Sequence, residues 1–120
     1  MALIQVNFFS NTLARTVPMN VVLPVDVMKA PAKSTEEGTP YKTLYLLHGV
    51  FGNYTDWVSR SNIQAWAEER NLAVVMPSGD NMFYVDIPGV HNYYGEFIGR
   101  ELVEITRKMF PLSRKREDTF

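Results

Sequence analysis

The sequence contains no cysteine, which excludes disulfide bonds, thiol catalysis and zinc sites built on thiolates. It also lacks an excess of charge, because 12 basic and 13 acidic side chains nearly cancel. A chain without a basic field is a poor partner for nucleic acid or an anionic membrane, and we expect neither. The one basic cluster, Arg114 to Arg116, is followed by Glu117 and Asp118 and is interpreted as a solvated loop.

Long apolar runs are also missing. No run approaches the ~20 residues that a membrane helix requires. The N-terminal residues MALIQVNFF have no basic residue before their apolar positions and are interrupted by Gln5 and Asn7, which argues against a signal peptide. We therefore expect a cytoplasmic protein. The only histidines, His48 and His91, lack metal-ligand spacing to a second histidine or carboxylate, so we expect no metal.

Four segments have the patterns of β-strands. Polar and apolar residues alternate over residues 3–9, which is the period of a half-buried strand. A second alternating segment spans residues 21–27, and Pro24 within it predicts a sheet edge or a bulge, because proline cannot donate to a ladder. Residues 43–47 and 72–77 are continuous apolar runs, which are typical of parallel strands covered on both faces.

Two segments have helical spacing. Ser61 or Asn62 can cap the first helix, Asn71 can end it, and its expected apolar face consists of Ile63, Trp66 and Ala67. Pro111 ends the second helix, whose apolar positions are Ile98, Leu102, Ile105 and Met109. Its predicted i,i+4 ion pairs are Glu96 with Arg100 and Glu104 with Lys108.

The order strand, strand, strand, helix, strand, helix predicts a single α/β domain over residues 1–120. Residues 43–77 form a strand, helix, strand unit, and such crossovers give parallel pairing. Residues 28–42 contain two prolines and a glycine and are interpreted as an exposed connection.

Two loops are placed to form a site. In open α/β sheets, loops after the carboxyl ends of parallel strands line the ligand crevice. HGVFGNYTDW follows residues 43–47, and PSGDNMFYVD overlaps the end of residues 72–77. We therefore expect one cleft to be shared by His48, Gly49, Val50, Phe51, Trp57, Asp80 and Tyr84.

A strand that ends in His-Gly suggests a hydrolase, because the backbone N–H of the next residue, Val50, can point at a substrate oxyanion. Gly49 is expected to let the chain turn. His48 is expected to hold the loop through local hydrogen bonds rather than act as a general base, and His91 to face solvent.

Two other kinds of site are disfavoured by the motifs. The glycine pair Gly49 and Gly52 fits a phosphate cradle poorly, since a third glycine at dinucleotide-binding spacing and a G-K-[ST] motif are both missing. No serine of the 120 residues lies in G-x-S-x-G, so the sequence contains no recognisable nucleophile.

Essentially the whole chain resembles the N-terminal half of the esterase D-like α/β-hydrolases, and within them the bacterial tributyrin-esterase-type acyl hydrolases. S-formylglutathione hydrolases and mycolyltransferases are similar at a greater distance. The resemblance implies an α/β-hydrolase fold with a mostly parallel sheet, strand order 1-2-4-3 in this half, and flanking helices. It rests on R-x-V-x-x-x-V-x-L-P at Arg15 to Pro24, LYLLHGVFGNYTDW, WVSRSNIQAWAEERNLAVVMPSGDNMFYVD and YYGEFIGRELVEITRKMFPLSRKREDTF.

The resemblance also implies an activity. The family hydrolyses short acyl esters through an acyl-serine intermediate, without metal or cofactor. By this resemblance Val50 is the first oxyanion-hole donor and Gly49 shapes its loop, while Phe51, Trp57 and Tyr84 line the pocket of a small acyl ester. In the family, the serine, acid and histidine follow the segment that resembles SRKREDTF. Residues 1–120 alone are therefore expected to be inactive.

The implied strand order leaves residues 43–47 at an edge of the sheet, where the family's nucleophile strand pairs. An apolar strand with an open edge promotes association. We expect the missing C-terminal half or another chain at this edge, and an unstable or oligomeric protein without it. Three alternatives stay open: a thioesterase like S-formylglutathione hydrolase, a non-catalytic remnant that acts by association, and a small nucleotide-binding α/β domain.

Overall fold

The computed structural model describes residues 1–27 and 38–120, and its main sheet has the order β1-β2-β4-β3 that the sequence predicted. Antiparallel pairing joins β1 to β2 and β2 to β4, whereas β3 and β4 are parallel. Parallel pairing, expected over most of the sheet, is therefore limited to one pair among the described strands. These strands are β1 (Ala2–Ser10), β2 (Arg15–Leu23), β3 (Lys42–Tyr45) and β4 (Leu72–Pro77).

The second strand begins and ends earlier than the alternation over residues 21–27 predicted. β2 ends at Leu23, and Pro24 begins a 3-10 turn, Pro24–Asp26. The cause is that Val22 and Leu23 are both buried, so the end of β2 is covered on two faces and its apolar residues do not alternate. Residues 28–37 of the predicted exposed connection lie outside the described residues.

The helices follow β3 and β4. A five-residue helix that the sequence pattern did not indicate, α1 (Asp56–Arg60), precedes α2 (Ile63–Glu69). A short hairpin of β5 (Asp86–Ile87) and β6 (Asn92–Tyr93) leads into a continuous helical segment. That segment comprises α3 (Tyr94–Glu96), a π-helical stretch over Phe97–Glu101 and α4 (Leu102–Met109).

Both faces of the sheet carry a core, because alternate residues of β4 point to opposite sides. Ala73 and Val75 belong to the cluster under the last helical segment, together with Tyr94, Phe97 and Leu102. On the other face, the α2 side, the cluster consists of Val22, Ile63, Ala67, Val74 and Met76. The α/β fold with flanking helices that the sequence predicted is confirmed.

The helices differ from the sequence prediction in two places. Trp66, expected on the buried face of α2, is 48% exposed. Arg100 pairs with Glu96, as predicted, and also with Glu104 at 3.4 Å between Nη1 and Oε2. Glu104 is therefore paired with Arg100 rather than with the predicted Lys108. Asn71, with φ of 51°, lies just after α2, as expected of a residue that ends a helix.

The outer edge of β3 is partly covered, which corrects the expectation of an open edge over residues 43–47. The chain returns after α4, and Leu112 forms a parallel bridge with Tyr41. Near the end, Phe120 N–H donates to the Thr43 carbonyl at 2.9 Å, and Tyr45 N–H donates to the Phe120 carbonyl at 2.8 Å. The edge is therefore paired as far as Tyr45.

No helix in the described ranges is long and apolar enough to span a membrane.

Candidate active site

His48, two residues beyond the last β3 backbone contact to β4, is fixed on both sides of its ring. It is 5% exposed. Its Nε2 accepts a hydrogen bond from the Gly79 N–H at 2.9 Å, and its Nδ1 lies 2.7 Å from the Gly49 carbonyl oxygen. A peptide N–H can only donate, so Nε2 is the unprotonated nitrogen and Nδ1–H donates to Gly49. His48 thus ties the loop after β3 to the loop after β4, in agreement with the predicted structural role.

Residues Gly49 to Gly52 form a β-turn at the carboxyl end of the strand. The Gly52 N–H donates to the Gly49 carbonyl at 3.2 Å. The backbone angle φ is positive at Phe51, at 63°, and not at Val50, which is the pattern of a type II turn. Phe51 therefore occupies the position of the turn that favours glycine, and the turn is strained there.

Among the described residues, two of the four backbone donors of this turn are paired and two are free. The N–H of Phe51 donates to Asn81 Oδ1 at 2.9 Å, and the N–H of Gly52 is used within the turn. Within residues 1–27 and 38–120, the N–H groups of Gly49 and Val50 have no hydrogen-bond acceptor, and the Val50 side chain is 59% exposed. Such a fixed, unpaired backbone donor is what an oxyanion hole requires.

The glycine in closest contact with a neighbouring residue in this loop is Gly52 rather than the predicted Gly49. Gly49 has no positive φ, and a Cβ added there would meet no atom within 4 Å among the described residues. At Gly52, in contrast, an added Cβ would collide with the carboxylate of Asp56, the first residue of α1. The close contact and the positive φ of this turn thus lie at Gly52 and Phe51, and neither feature lies at Gly49, which the sequence had indicated as the turning residue.

The three residues expected to line a pocket have different surroundings. Phe51 is 89% exposed. The Tyr84 hydroxyl donates to the His48 carbonyl at 2.9 Å, and its ring packs where a Cβ at Gly79 would lie. Burial raises the pKa of the Tyr84 hydroxyl, which keeps it a donor. Trp57 lies on α1, packs against the α2-side core and donates its indole N–H to the Leu47 carbonyl at 3.0 Å.

Asp80 belongs to a polar cluster at the same end of the sheet. Its Oδ2 accepts hydrogen bonds from the Tyr94 hydroxyl and, at 3.3 Å, from Arg15 Nη2. Arg15 also donates to the Tyr94 hydroxyl, and its guanidinium carbon lies 5.6 Å from the centre of the Tyr94 ring. Asp80 itself has a left-handed φ of 48°. The cluster therefore anchors the loop that carries Gly79 and Asn81.

Tyr94 gives this cluster a pH dependence. Burial and the neighbouring Asp80 carboxylate raise the pKa of Tyr94 from its usual 10.0 to about 12. A group whose pKa is raised by folding contributes stability below its unfolded pKa and loses it as pH rises toward the folded value. We expect the free energy of unfolding to fall between about pH 10 and 12, with a shallower fall for Tyr94→Phe.

Urea denaturation at a series of pH values, with tyrosinate absorbance followed in parallel, measures this dependence. Burial also raises the pKa of Tyr45 and Tyr84, so Tyr94→Phe should remove only part of the slope. An identical slope in the variant would show that Tyr94 does not contribute.

Sequence reasoning did not identify Asn81, Arg15 or Tyr94 as members of the site. Asn81 directly follows Asp80, and its position in the turn-rich loop was the only available signal. Among the described residues, no group of three histidine, aspartate or glutamate side chains could hold a metal ion. His91, as expected, is exposed.

The parallel unit, the His-Gly strand end and the free donor beside it define the N-terminal half of an α/β-hydrolase. No protein-family model matches the chain. An acetyl esterase from Caldicellulosiruptor saccharolyticus is 42% identical over all 120 residues, which span 45% of that protein. FphF, a fluorophosphonate-binding serine hydrolase of Staphylococcus aureus, superposes with a TM-score of 0.83 at 34% identity, over 99% of this chain and 45% of that one.

A third relative is similar over the same part of its length. The S-formylglutathione hydrolase FrmB of Staphylococcus aureus superposes with a TM-score of 0.81 at 34% identity, again over 99% of this chain and 45% of that one. Over its whole length the chain is similar to one part of these α/β-hydrolase-fold proteins, which supports the resemblance to the N-terminal half of the esterase D-like proteins. It thus spans a little under half the length of the relatives that it matches.

Proposed function

We propose that this chain forms the oxyanion-hole half of a serine carboxylic ester hydrolase acting on short acyl esters. The observation that carries the proposal is the unpaired N–H of Val50, held at the carboxyl end of β3 by a hydrogen-bonded turn. The similarity to an acetyl esterase over the whole chain supports the acyl-ester substrate. No metal or cofactor is needed for this chemistry.

The chemistry divides between the two halves. A serine of the C-terminal half attacks the ester carbonyl, and the carbonyl oxygen gains negative charge in the tetrahedral intermediate. The Val50 N–H donates to that oxygen, together with a second backbone donor beside the serine. One such donor contributes about 2.7–4 kcal/mol to transition-state stabilisation in other hydrolases. Phe51 and Tyr84 are proposed to border the ester. Trp57 is proposed to support the loop after β3 through its hydrogen bond to the Leu47 carbonyl.

The partner is proposed to bind along the outer side of β3. Along β3, the backbone N–H and C=O groups of alternate residues point away from β4. Thr43 and Tyr45 are two of these residues, and Leu47 is the next one. An added strand can continue the parallel pairing begun by Phe120. Beside it, an apolar groove of about 290 Å³ fits a following amphipathic helix. The groove is lined by Leu44, Ile63, Trp66, Ala67, Arg70, Leu72 and Val74.

Mixing the two halves tests the function. The chain is combined with the C-terminal part of the Caldicellulosiruptor saccharolyticus acetyl esterase that lies beyond the matched segment, and p-nitrophenyl acetate hydrolysis is followed. We expect activity in the mixture and none in either half alone. The unpartnered chain should sediment as oligomers or melt without cooperativity, since its sheet and groove lack their partner.

Other outcomes separate the alternatives. A folded complex without hydrolysis, or a cooperatively folding monomer without the partner, would favour a non-catalytic protein that acts by association. Faster hydrolysis of an S-acyl thioester than of the matched oxygen ester would favour the thioesterase, which the similarity to an S-formylglutathione hydrolase suggests. We propose a cytoplasmic location, which the absence of cysteine supports.

A further inference from the structure

Asn81 joins the two loops of the site through its side chain. Its Oδ1 accepts the Phe51 N–H at 2.9 Å, across 30 positions of sequence. The two residues that precede Asn81 are anchored separately: the Gly79 N–H donates to His48 Nε2, and the Asp80 carboxylate accepts from Arg15 and Tyr94. Asn81 therefore projects from an anchored loop onto the turn that carries Val50.

The contact acts at the strained position of that turn. Phe51 has a φ of 63°, in the left-handed region that an aromatic residue rarely adopts. A rotation of the Val50–Phe51 peptide by about 180° would convert the type II turn into a type I turn and relieve this strain. The same rotation would turn the Phe51 N–H away from Asn81. The hydrogen bond to Asn81 therefore stabilises the type II form against a type I form that the residue types prefer.

We propose that Asn81 is a positioning residue for the oxyanion hole. By holding the Phe51 N–H, it keeps the Gly49 to Gly52 turn in its type II form and fixes the orientation of the Val50–Phe51 peptide beside the unpaired Val50 N–H. The catalytic consequence rests on the proposed function, whereas the effect on the turn does not. The substrate never contacts Asn81 in this role.

A double-mutant cycle in the two-part complex tests the proposal. Asn81→Ala should lower kcat for p-nitrophenyl acetate about tenfold and change KM less than about twofold, because the turn leaves its competent form while binding contacts stay. Glycine adopts a positive φ without strain, so Phe51→Gly should hold the type II form by itself. In the Phe51→Gly background, Asn81→Ala should therefore cost no more than about twofold.

The matched control is Asn11→Ala, an exposed asparagine in the β1–β2 turn whose side chain makes no hydrogen bond within the described ranges. It should leave kcat unchanged. An equal loss of kcat from Asn81→Ala in both backgrounds would overturn the proposal, since it would indicate a role unrelated to the turn. No loss in either background would overturn it as well.

A second readout does not depend on catalysis. In the chain itself, Asn81→Ala should speed amide hydrogen exchange of Phe51 several-fold and leave exchange of Gly79, which donates to His48, unchanged. An unchanged Phe51 exchange rate would contradict the proposed contact. If the wild-type complex is inactive, the proposed function fails, and the exchange measurement still decides the role of Asn81.

Discussion

Replacing Val50 with proline should lower kcat for a short acyl ester by about 10²- to 10³-fold in the two-part complex, with little change in KM. Proline has no N–H, so the variant lacks the unpaired donor at position 50. The developing oxyanion then loses one of its two donors, while groups that contact only the neutral ester stay in place. A loss confined to kcat is the kinetic signature of an interaction made in the transition state.

The position is well suited to this substitution. Val50 is the second residue of a type II turn, where proline is common, and the preceding Gly49 tolerates the restriction that proline imposes. Val50→Ala, which keeps the N–H and shortens an exposed side chain, is the matched control and should lose far less activity. Equal losses from Val50→Pro and Val50→Ala would show that the backbone donor is not used.

His48→Ala should lower the free energy of unfolding of the complex by roughly 3 kcal/mol. The substitution leaves the buried Gly79 N–H without its acceptor and the Gly49 carbonyl without its donor, and it opens a cavity beside Tyr84. Urea denaturation measures the change. The loops after β3 and β4 would also separate, so activity should fall with stability.

His91→Asn is the matched histidine control. His91 is exposed in the loop before β6 with a φ of 51°, and asparagine tolerates that left-handed conformation. Its effect should stay within about 0.5 kcal/mol, as for most surface substitutions. If His48→Ala were equally mild, the ring would not hold the two loops together.

The fold could be predicted wherever a segment is a continuous apolar run or has a clear strand or helix periodicity. Residues 72–77 form β4 with the predicted bounds, because a continuous apolar run closed by a proline has few alternatives. The bounds of β2 were wrong because the end of that strand is buried on both sides. The helix α1 was not predicted, since five residues after a turn show no complete helical period.

The site was predictable only as far as it is local. Gly49 and Val50 follow a recognisable strand end, and the position of His48 there indicated its structural role. The anchors that hold the loops are non-local: Arg15 contacts Tyr94 across 79 positions of sequence, and Phe51 contacts Asn81 across 30. Periodicity within a short window contains no information about such contacts. The pairing of Phe120 with β3 is also non-local, and the sequence therefore predicted an open edge there.

The most direct test of the oxyanion-hole assignment is a titration of this chain with the C-terminal half, followed by the rate of p-nitrophenyl acetate hydrolysis. The rate should rise from zero, level off at one equivalent of the added half, and fall about 10²- to 10³-fold when the chain carries Val50→Pro. A folded one-to-one complex that hydrolyses no short ester, or one that Val50→Pro leaves fully active, would contradict the assignment.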